Sequence, residues 1–401
     1  MALPVSRPPT GAGCPWHKAM KAALLLLQIL LGALLLLSGY LVWLTARLRR
    51  IDPGVRSKVW RAALLCLGFS TLDWAWVLAL PRLGISFGPP HTPLLFFTAS
   101  RLAIYLVWLS VLVILVWPRL PKGTPASPPS LAFLLALNLG LLAVGLYGFV
   151  IEPFWVHTTR LEIAAPEAGL TEPLRIVQLS DLHVERSTRR EIELVDRVNN
   201  LQPDIIVLTG DFLNLSYLQD EQAVAGLRAL IGQLNAPLGI YAVDGTVEDP
   251  PRVRELLSDL GVQVLDQEVL RLPAAGGQIA LVGVSNYGYA DDQETLNGLM
   301  QGVAPEEFSL LLHHHPDLAY DAQAAGVDLY LCGHTHGGQV RLPVYGAMIT
   351  FSRFGKTFES GHYTLGDTNL YVSRGLGMEG SYAPRVRFLA PPEVVVVDLM
   401  P

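Results

Sequence analysis

Six carboxylate and imidazole side chains lie just beyond the ends of apolar runs. Asp181 and His183 follow Leu174–Leu179, Asp211 follows Ile205–Leu208, His314 follows Ser309–Leu312, and His334 and His336 follow Leu329–Leu331. Neutral imidazole and carboxylate together suit Mn, Fe or Zn, and a carboxylate set between two such groups can bridge two cations. The densest stretch, Leu331-Cys332-Gly333-His334-Thr335-His336-Gly337-Gly338-Gln339, places two imidazoles one residue apart beside a Gly-Gly turn. The chemistry this set supports is metal-assisted cleavage of a phosphoester, with Asp211 and His334 in the catalytic positions. The plainer alternative for the carboxylates is capping at strand ends.

Bringing these segments together requires strands that end at one rim. Short β-branched runs at Leu174–Leu179, Ile205–Leu208, Ile240–Val243, Ile279–Val284, Ser309–Leu312, Leu329–Leu331, Leu370–Val372 and Val394–Leu399 predict strands. Ile205-Ile206-Val207-Leu208 has no polar alternation, as expected of a strand covered on both faces. Helical windows at Arg189–Asn200, Asp220–Leu234, Pro250–Leu260 and Pro316–Ala325 lie between them. Strand and helix in alternation imply an α/β layered domain with its ligands at the carboxyl ends of the strands.

The first part of the chain has a different composition. Residues 1–157 hold 13 of the 29 Lys and Arg but 3 of the 35 Asp and Glu, which leaves 16 basic and 32 acidic side chains beyond them. That acidic excess argues against nucleic acid as a partner, because phosphate backbones are held mainly by Lys and Arg. Apolar stretches at about 22–45, 60–80, 93–117 and 131–151 are each long enough to cross a bilayer as a helix. The first is too long for a signal-peptide core, so it counts as a helix and the chain as a multi-pass membrane protein. Arg47, Arg49, Arg50, Arg56, Lys58 and Arg61 crowd the loop between the first two stretches, which places that loop in the cytoplasm and the C-terminal domain outside it. Asp73 and Arg101 fall at matching depth in adjacent antiparallel spans, where pairing reduces the cost of burial. Few other polar residues line these spans, so this half reads as an anchor in the lipid bilayer rather than a transport path. Cys14, Cys66 and Cys332 are too scattered for a disulfide framework; the last two read as buried thiols.

Asp181-x-His183, Gly210-Asp211, His314-x-Pro316-Asp317 and the Gly333–Gln339 run, with Tyr371–Gly375 and Pro392-Glu393, resemble the calcineurin-like metallophosphoesterases, in the branch with an N-terminal membrane anchor. The apolar stretches give a four-helix transmembrane domain over 1–157, and the resemblance, which runs from about Arg160 to the C-terminus, implies a four-layer αββα sandwich over 158–401. It implies two divalent metal ions (Mn, Fe or Zn). One would be held by Asp181, His183, His336 and the bridging Asp211, the other by Asp211, His314 and His334. The nucleophile would be metal-bound hydroxide and the substrate a phosphoester, of lipid or cell-envelope origin given the anchor. One segment departs from the family pattern. Where the family carries Gly-Asn-His followed by Asp or Glu, this chain has Gly245-Thr246-Val247-Glu248. Thr246 is a poor metal ligand and Val247 cannot donate a proton. General acid catalysis contributes about 10²–10⁴-fold, so the departure bears on rate. Asp244, Glu248 or Asp249 could restore an oxygen ligand, and His313 or His315 an imidazole. Two readings stay open: a hydrolase holding two ions or one, and a metal- or phospholigand-binding pseudoenzyme that acts as a membrane scaffold. Arg374 and Arg387 read as surface ion-pairing residues, with contact to a substrate phosphate as the alternative.

Overall fold

A computed structural model of the chain describes residues 53–83, 85, 91–116, 130–274, 276–379 and 385–401, with isolated positions 32, 36, 39 and 40. These residues fall in two compact units. The first is built on α1 (Pro53–Ala79), α2 (His91–Val116) and α3 (Leu131–Leu146). Apolar residues surround all three helices, and segments Ser57–Arg82, His91–Leu112 and Leu131–Phe154 are long and apolar enough to cross a membrane. The stretch at 22–45 expected to form a further helix lies outside the described residues, apart from isolated positions, as do Cys14, Arg47, Arg49 and Arg50, whereas Arg56, Lys58 and Arg61 of the expected loop lie in α1.

Asp73 and Arg101 meet. The Arg101 guanidinium donates to Asp73 through Nε at 2.8 Å and Nη2 at 3.1 Å. Its Nη1 turns to α3 and donates to the Asn138 carbonyl at 2.6 Å and to Asn138 Oδ1 at 3.2 Å. Arg101 and Asp73 are 0 % and 1 % exposed, so the pair is shielded from solvent and neither side chain snorkels to an end. Asn138 escaped the sequence reading because one neutral amide barely interrupts an apolar helix.

The second unit is the α/β domain. One six-stranded sheet has the order β1 (His157–Ala164), β14 (Glu393–Met400), β2 (Leu174–Leu179), β3 (Ile205–Thr209), β4 (Ile240–Val243) and β5 (Val262–Val264), with β2 through β5 parallel. The other has the order β12 (Gly361–Leu365), β13 (Thr368–Val372), β9 (Leu329–Cys332), β8 (Phe308–Leu312), β7 (Gly277–Gly283) and β6 (Glu268–Ala274), parallel across β13, β9, β8 and β7. A small hairpin pairs β10 (Arg341–Leu342) with β11 (Gly346–Ala347).

Strand period sorts the side chains into layers. Ile205 and Val207 of β3 and Val395 and Val397 of β14 pack with Leu310, Leu312, Leu329 and Leu331 in a core between the two sheets. Their neighbours Ile206, Leu208 and Val396 face the opposite way, under α4 (Arg189–Asn200), α5 (Glu221–Ile231) and α6 (Pro250–Leu257). On the far side, Leu311, Tyr330 and Cys332 lie under α7 (Tyr289–Met300) and α8 (Ala319–Ala325). The result is a helix–sheet–sheet–helix sandwich, and its layers follow from the unalternating apolar strands. Complete burial of each such side chain contributes about 1.5–3 kcal/mol. Helix starts are set locally. Thr188 and Glu191 form a capping box on α4, while Asp220 and Asp249 cap α5 and α6.

Candidate metal centre

The loops leaving β2, β3, β8 and β9 bring the six sequence-selected residues together, and the loop leaving β4 lies against them. Asp181, His183 and His336 form one group with ligand-capable atoms within 4.8 Å of one another, and Asp181, Asp211 and His314 form a second. A third group joins His314, His334 and His315. Five of the six hold a positive φ: Asp181 at 50°, His183 at 42°, Asp211 at 54°, His334 at 68° and His336 at 51°. Residues with side chains avoid this region, at a cost of order 1–3 kcal/mol each, and concentrating that strain on one cluster is typical of functional sites.

Asp211 occupies the middle. Its Oδ1 accepts hydrogen bonds from the backbone N–H of Thr246 at 2.7 Å and of Val247 at 3.0 Å. The other oxygen, Oδ2, lies 3.2 Å from His314 Nε2 and 3.6 Å from His183 Nε2. One carboxylate oxygen is therefore pinned while the other faces imidazoles from both sides. Gly245 permits this approach, since a Cβ there would fall 2.2 Å from Asp211 Oδ1.

Ring orientations follow from what the other nitrogen touches. A carbonyl only accepts, so His314 Nδ1 donates to Thr209 O at 2.7 Å and turns Nε2 toward Asp211. That Nε2 is buried and makes no regular hydrogen bond. His183 Nδ1 lies 3.2 Å from a carboxylate oxygen of Glu379, and its Nε2 faces His336 Nε2 at 3.1 Å. His336 Nε2 is also 3.5 Å from Asp181 Oδ1. Two imidazole nitrogens and a carboxylate converge here, and this donor set fits a divalent metal. Asp181 is itself held: Ser180 Oγ donates to it at 2.5 Å and His334 N at 3.0 Å. Gly333 makes room for that carboxylate, because a Cβ would come within 2.2 Å of it.

The electrostatics separate the groups. Burial opposes ionisation of Asp211, but His314 and then His183 and His334 outweigh it and hold its carboxyl well below the usual range. Burial pushes Asp181 upward, with Asp211 adding to the shift. Burial would lower His314, yet Asp211 and Asp181 raise it to about 10. His334 is lowered to about 3 by burial and by His314, and burial and then His183 hold His336 well below the usual imidazole value.

The three consecutive histidines are resolved. His313 turns away and donates from Nδ1 to Val284 O at 3.0 Å. His314 faces Asp211. Strict strand alternation would send His315 away as well, but β8 ends at Leu312 and the turn that follows returns His315 to the site. Thr246 Oγ1 lies 3.1 Å from His315 Nε2 and 3.3 Å from His334 Nδ1. None of the three acids around Thr246 turns toward these imidazoles. Asp244 accepts from Asn286 N, Asp249 caps α6, and Glu248 accepts from Phe212 N and Leu213 N. Glu248 is pushed up to about 8 by burial and by Asp211.

The surface reading of Arg387 is corrected. It is completely buried and donates to the carbonyls of Arg374, Gly375, Gly377 and Ala390, with Nη2 3.5 Å from His336 Nδ1. Arg374 does form an ion pair, with Glu393 at 2.6 Å. Glu379 carries no local signal in the sequence, and nothing local places Arg387 beside His336, because both reach the histidines only through the fold.

Residues 174–338 match the family model described as calcineurin-like phosphoesterase. The uncharacterized metallophosphoesterase YkuE of Bacillus subtilis (strain 168) is 36% identical over 279 residues, covering 66% of this chain and 93% of that protein. A Bos taurus "transmembrane protein with metallophosphoesterase domain" is 33% identical over 227 residues, 52% of this chain and 49% of that protein. UDP-2,3-diacylglucosamine pyrophosphatase LpxG of Chlamydia muridarum (strain MoPn / Nigg) is 24% identical over 308 residues, 62% of this chain and 90% of its own length.

Proposed function

Because this chain belongs to the calcineurin-like metallophosphoesterase family, we propose that it is a membrane-anchored, metal-dependent hydrolase of phosphoesters. In this reading Asp181, His183, His336 and Asp211 hold one divalent ion, and Asp211, His314 and His334 hold a second. The observation that carries it is the divided role of Asp211: one oxygen is fixed by two backbone donors and the other is open to imidazoles on either side. When bound, a pair of divalent ions lowers the pKa of water and neutralises phosphoryl oxygens during in-line displacement. The chain's own residues set the geometry for that. Thr209 O fixes the His314 ring, the Glu379 carboxylate lies beside His183 Nδ1, and Glu248 clamps the loop that carries Asp211.

Val247 presents an isopropyl group and gives no proton to a leaving group. Substrates whose leaving groups need little protonation, such as pyrophosphate diesters and aryl phosphates, suit the site best. A lipid- or envelope-derived pyrophosphate agrees with the apolar helices and with the printed activity of the Chlamydia relative. The chain is read as multi-pass over 1–157, with the hydrolase domain at 158–401 outside the cytoplasm. The test uses the full-length protein in detergent with Mn²⁺, assayed on aryl phosphomonoesters, aryl phosphodiesters and a pyrophosphate diester. Hydrolysis that chelator abolishes and Asp211→Asn removes supports the proposal. Metal bound in stoichiometric amount, with turnover of none of the three classes, points to a metal-binding scaffold.

A further inference from the structure

We propose that the β10–β11 hairpin and the loop after it, residues 341–356, dock on a lipid surface and set the rim of the metal cluster at the bilayer headgroups. This rests on reading the chain as membrane-anchored and is independent of turnover at the site. Leu342, Val344, Tyr345, Met348, Ile349 and Phe351 are all exposed, Val344 completely and Phe351 to 82 %. Elsewhere among the described residues of this unit, exposed large apolar side chains are scattered along the chain, which is ordinary for a surface. Six in one hairpin and its exit loop mark an interaction site. The backbone displays them: Val344 holds a φ of 67° and Phe351 a φ of 56°, a region that β-branched and bulky residues rarely enter.

Charge selects the occupant. The α/β domain carries 32 acids against 16 bases, yet residues 340–358 hold Arg341, Arg353 and Lys356 and no Asp or Glu. Arg341 pairs with Glu359 at 2.6 Å. Arg353 and Lys356 are exposed and form no ion pair among the described residues. Each lies on an aromatic ring, Lys356 Nζ 3.6 Å from the Tyr345 centroid and Arg353 Cζ 3.4 Å from that of Tyr289. An apolar tip backed by aromatic rings and unpaired cations matches an anionic bilayer surface, where the tip meets acyl chains and the cations meet phosphates. The membrane-length helices of the same chain keep such a surface within reach at high effective concentration. The hairpin base is bonded to the metal loop. Arg341 Nη1 donates to Gly337 O at 3.0 Å, Ala347 N donates to Glu359 at 3.0 Å, and a Cβ on Gly338 would fall 2.4 Å from that of Ala347. Docking sets a phosphoester carried by a membrane amphiphile beside His334 and His336, with its chains left among the apolar side chains of the hairpin.

The test uses the full-length protein in nanodiscs of phosphatidylcholine, with or without phosphatidylglycerol. Cys66 and Cys332 are buried, so in a Cys14→Ser background Val344→Cys takes an environment-sensitive fluorophore at the hairpin tip, and Phe351→Cys provides a second position. Lipids with a doxyl group on the acyl chain quench from the bilayer, and iodide quenches from water. Both labels are expected to lose emission to the doxyl lipid and to keep it against iodide. A lysine near an anionic surface contributes about 1 kcal/mol, so Lys356→Ala should shift the equilibrium roughly fivefold toward the hydrated label when phosphatidylglycerol is present. The same change should have no effect in phosphatidylcholine alone; an equal shift in both lipids overturns the headgroup contact. Labels quenched by iodide and not by doxyl lipid overturn the docking. Labels protected from both quenchers overturn it too, because a protein surface such as a second copy then covers the hairpin. A chain that nanodiscs do not retain overturns the anchor reading and this proposal with it. Turnover enters none of these readings, so a docked hairpin on an inactive protein would sink the hydrolase and leave the lipid contact in place.

Discussion

Removing one member of the Asp73–Arg101 pair should destabilise the helical unit far more than removing both. The two side chains are bidentate at 2.8 and 3.1 Å and almost completely buried. With charge centres roughly 4 Å apart and an effective dielectric of about 20, their attraction is about 4 kcal/mol. Truncating one partner leaves a bare buried charge, which typically costs about 3–5 kcal/mol, whereas replacing both with apolar groups is often close to neutral. The perturbations are Asp73→Leu, Arg101→Met and the double variant, in full-length protein in lipid nanodiscs. Trp74, Trp76 and Trp108 lie in the same helices, so denaturant unfolding of this unit can be followed by tryptophan fluorescence. Each single change should cost about 3 kcal/mol or more, a shift of over about 100-fold in the unfolding equilibrium. The double change should recover most of that loss, giving a large coupling energy in the cycle. Singles that each cost under about 1 kcal/mol and add up in the double would refute the reasoning, because the charges would then be hydrated rather than paired.

Gly333→Ala forces a Cβ to within 2.2 Å of Asp181 Oδ2, so it should abolish high-affinity binding of the first Mn²⁺ in calorimetry; unchanged affinity would contradict the close approach. Asp292 is pushed up to about 6 by burial, although the N–H groups of Tyr287 and Gly288 pull it down. For a carboxyl raised in this way, the stabilising contribution is complete below its unfolded pKa of about 3.9 and is lost as pH climbs through about 6. Asp292→Asn should therefore flatten the stability profile between pH 4 and 6 by about 1–3 kcal/mol after solvent screening, and a parallel profile would count against it. Metal at about 100 times its Kd should stabilise the α/β domain by about 2.7 kcal/mol, so chelator should lower its Tm measurably; an unmoved Tm would mean that the ion does not select the native state.

The two central layers were legible because burial on both faces of a strand demands unbroken apolar residues. Ile205–Leu208 and Val394–Val397 state this directly, and the loops after the parallel strands then had to lie at one rim. The edge strands β1, β5, β6 and β12 were not legible. Half-exposed runs such as His157–Ala164 mix Thr, Arg and Glu, so they read as polar connectors. α7 was missed for a related reason: Tyr289–Met300 places Asp, Gln, Glu and Asn around most of its circumference and buries little beyond Asp292 and Leu296. At the centre, the six carboxylates and imidazoles stood out by residue type and by following strands. The face each consecutive histidine presents depended on where β8 stops, which no local pattern gives. Glu379 was invisible and Arg387 was misplaced at the surface in the same way, because their partners lie far away in sequence.

Crystals soaked in Mn²⁺ and measured near the manganese absorption edge test the central claim most directly. Two anomalous peaks are predicted, about 3.5–4 Å apart and sharing Asp211, one beside Asp181, His183 and His336 and the other beside His314 and His334. A map with no peak within coordination distance of Asp211, or with manganese bound only elsewhere on the domain, would contradict the account.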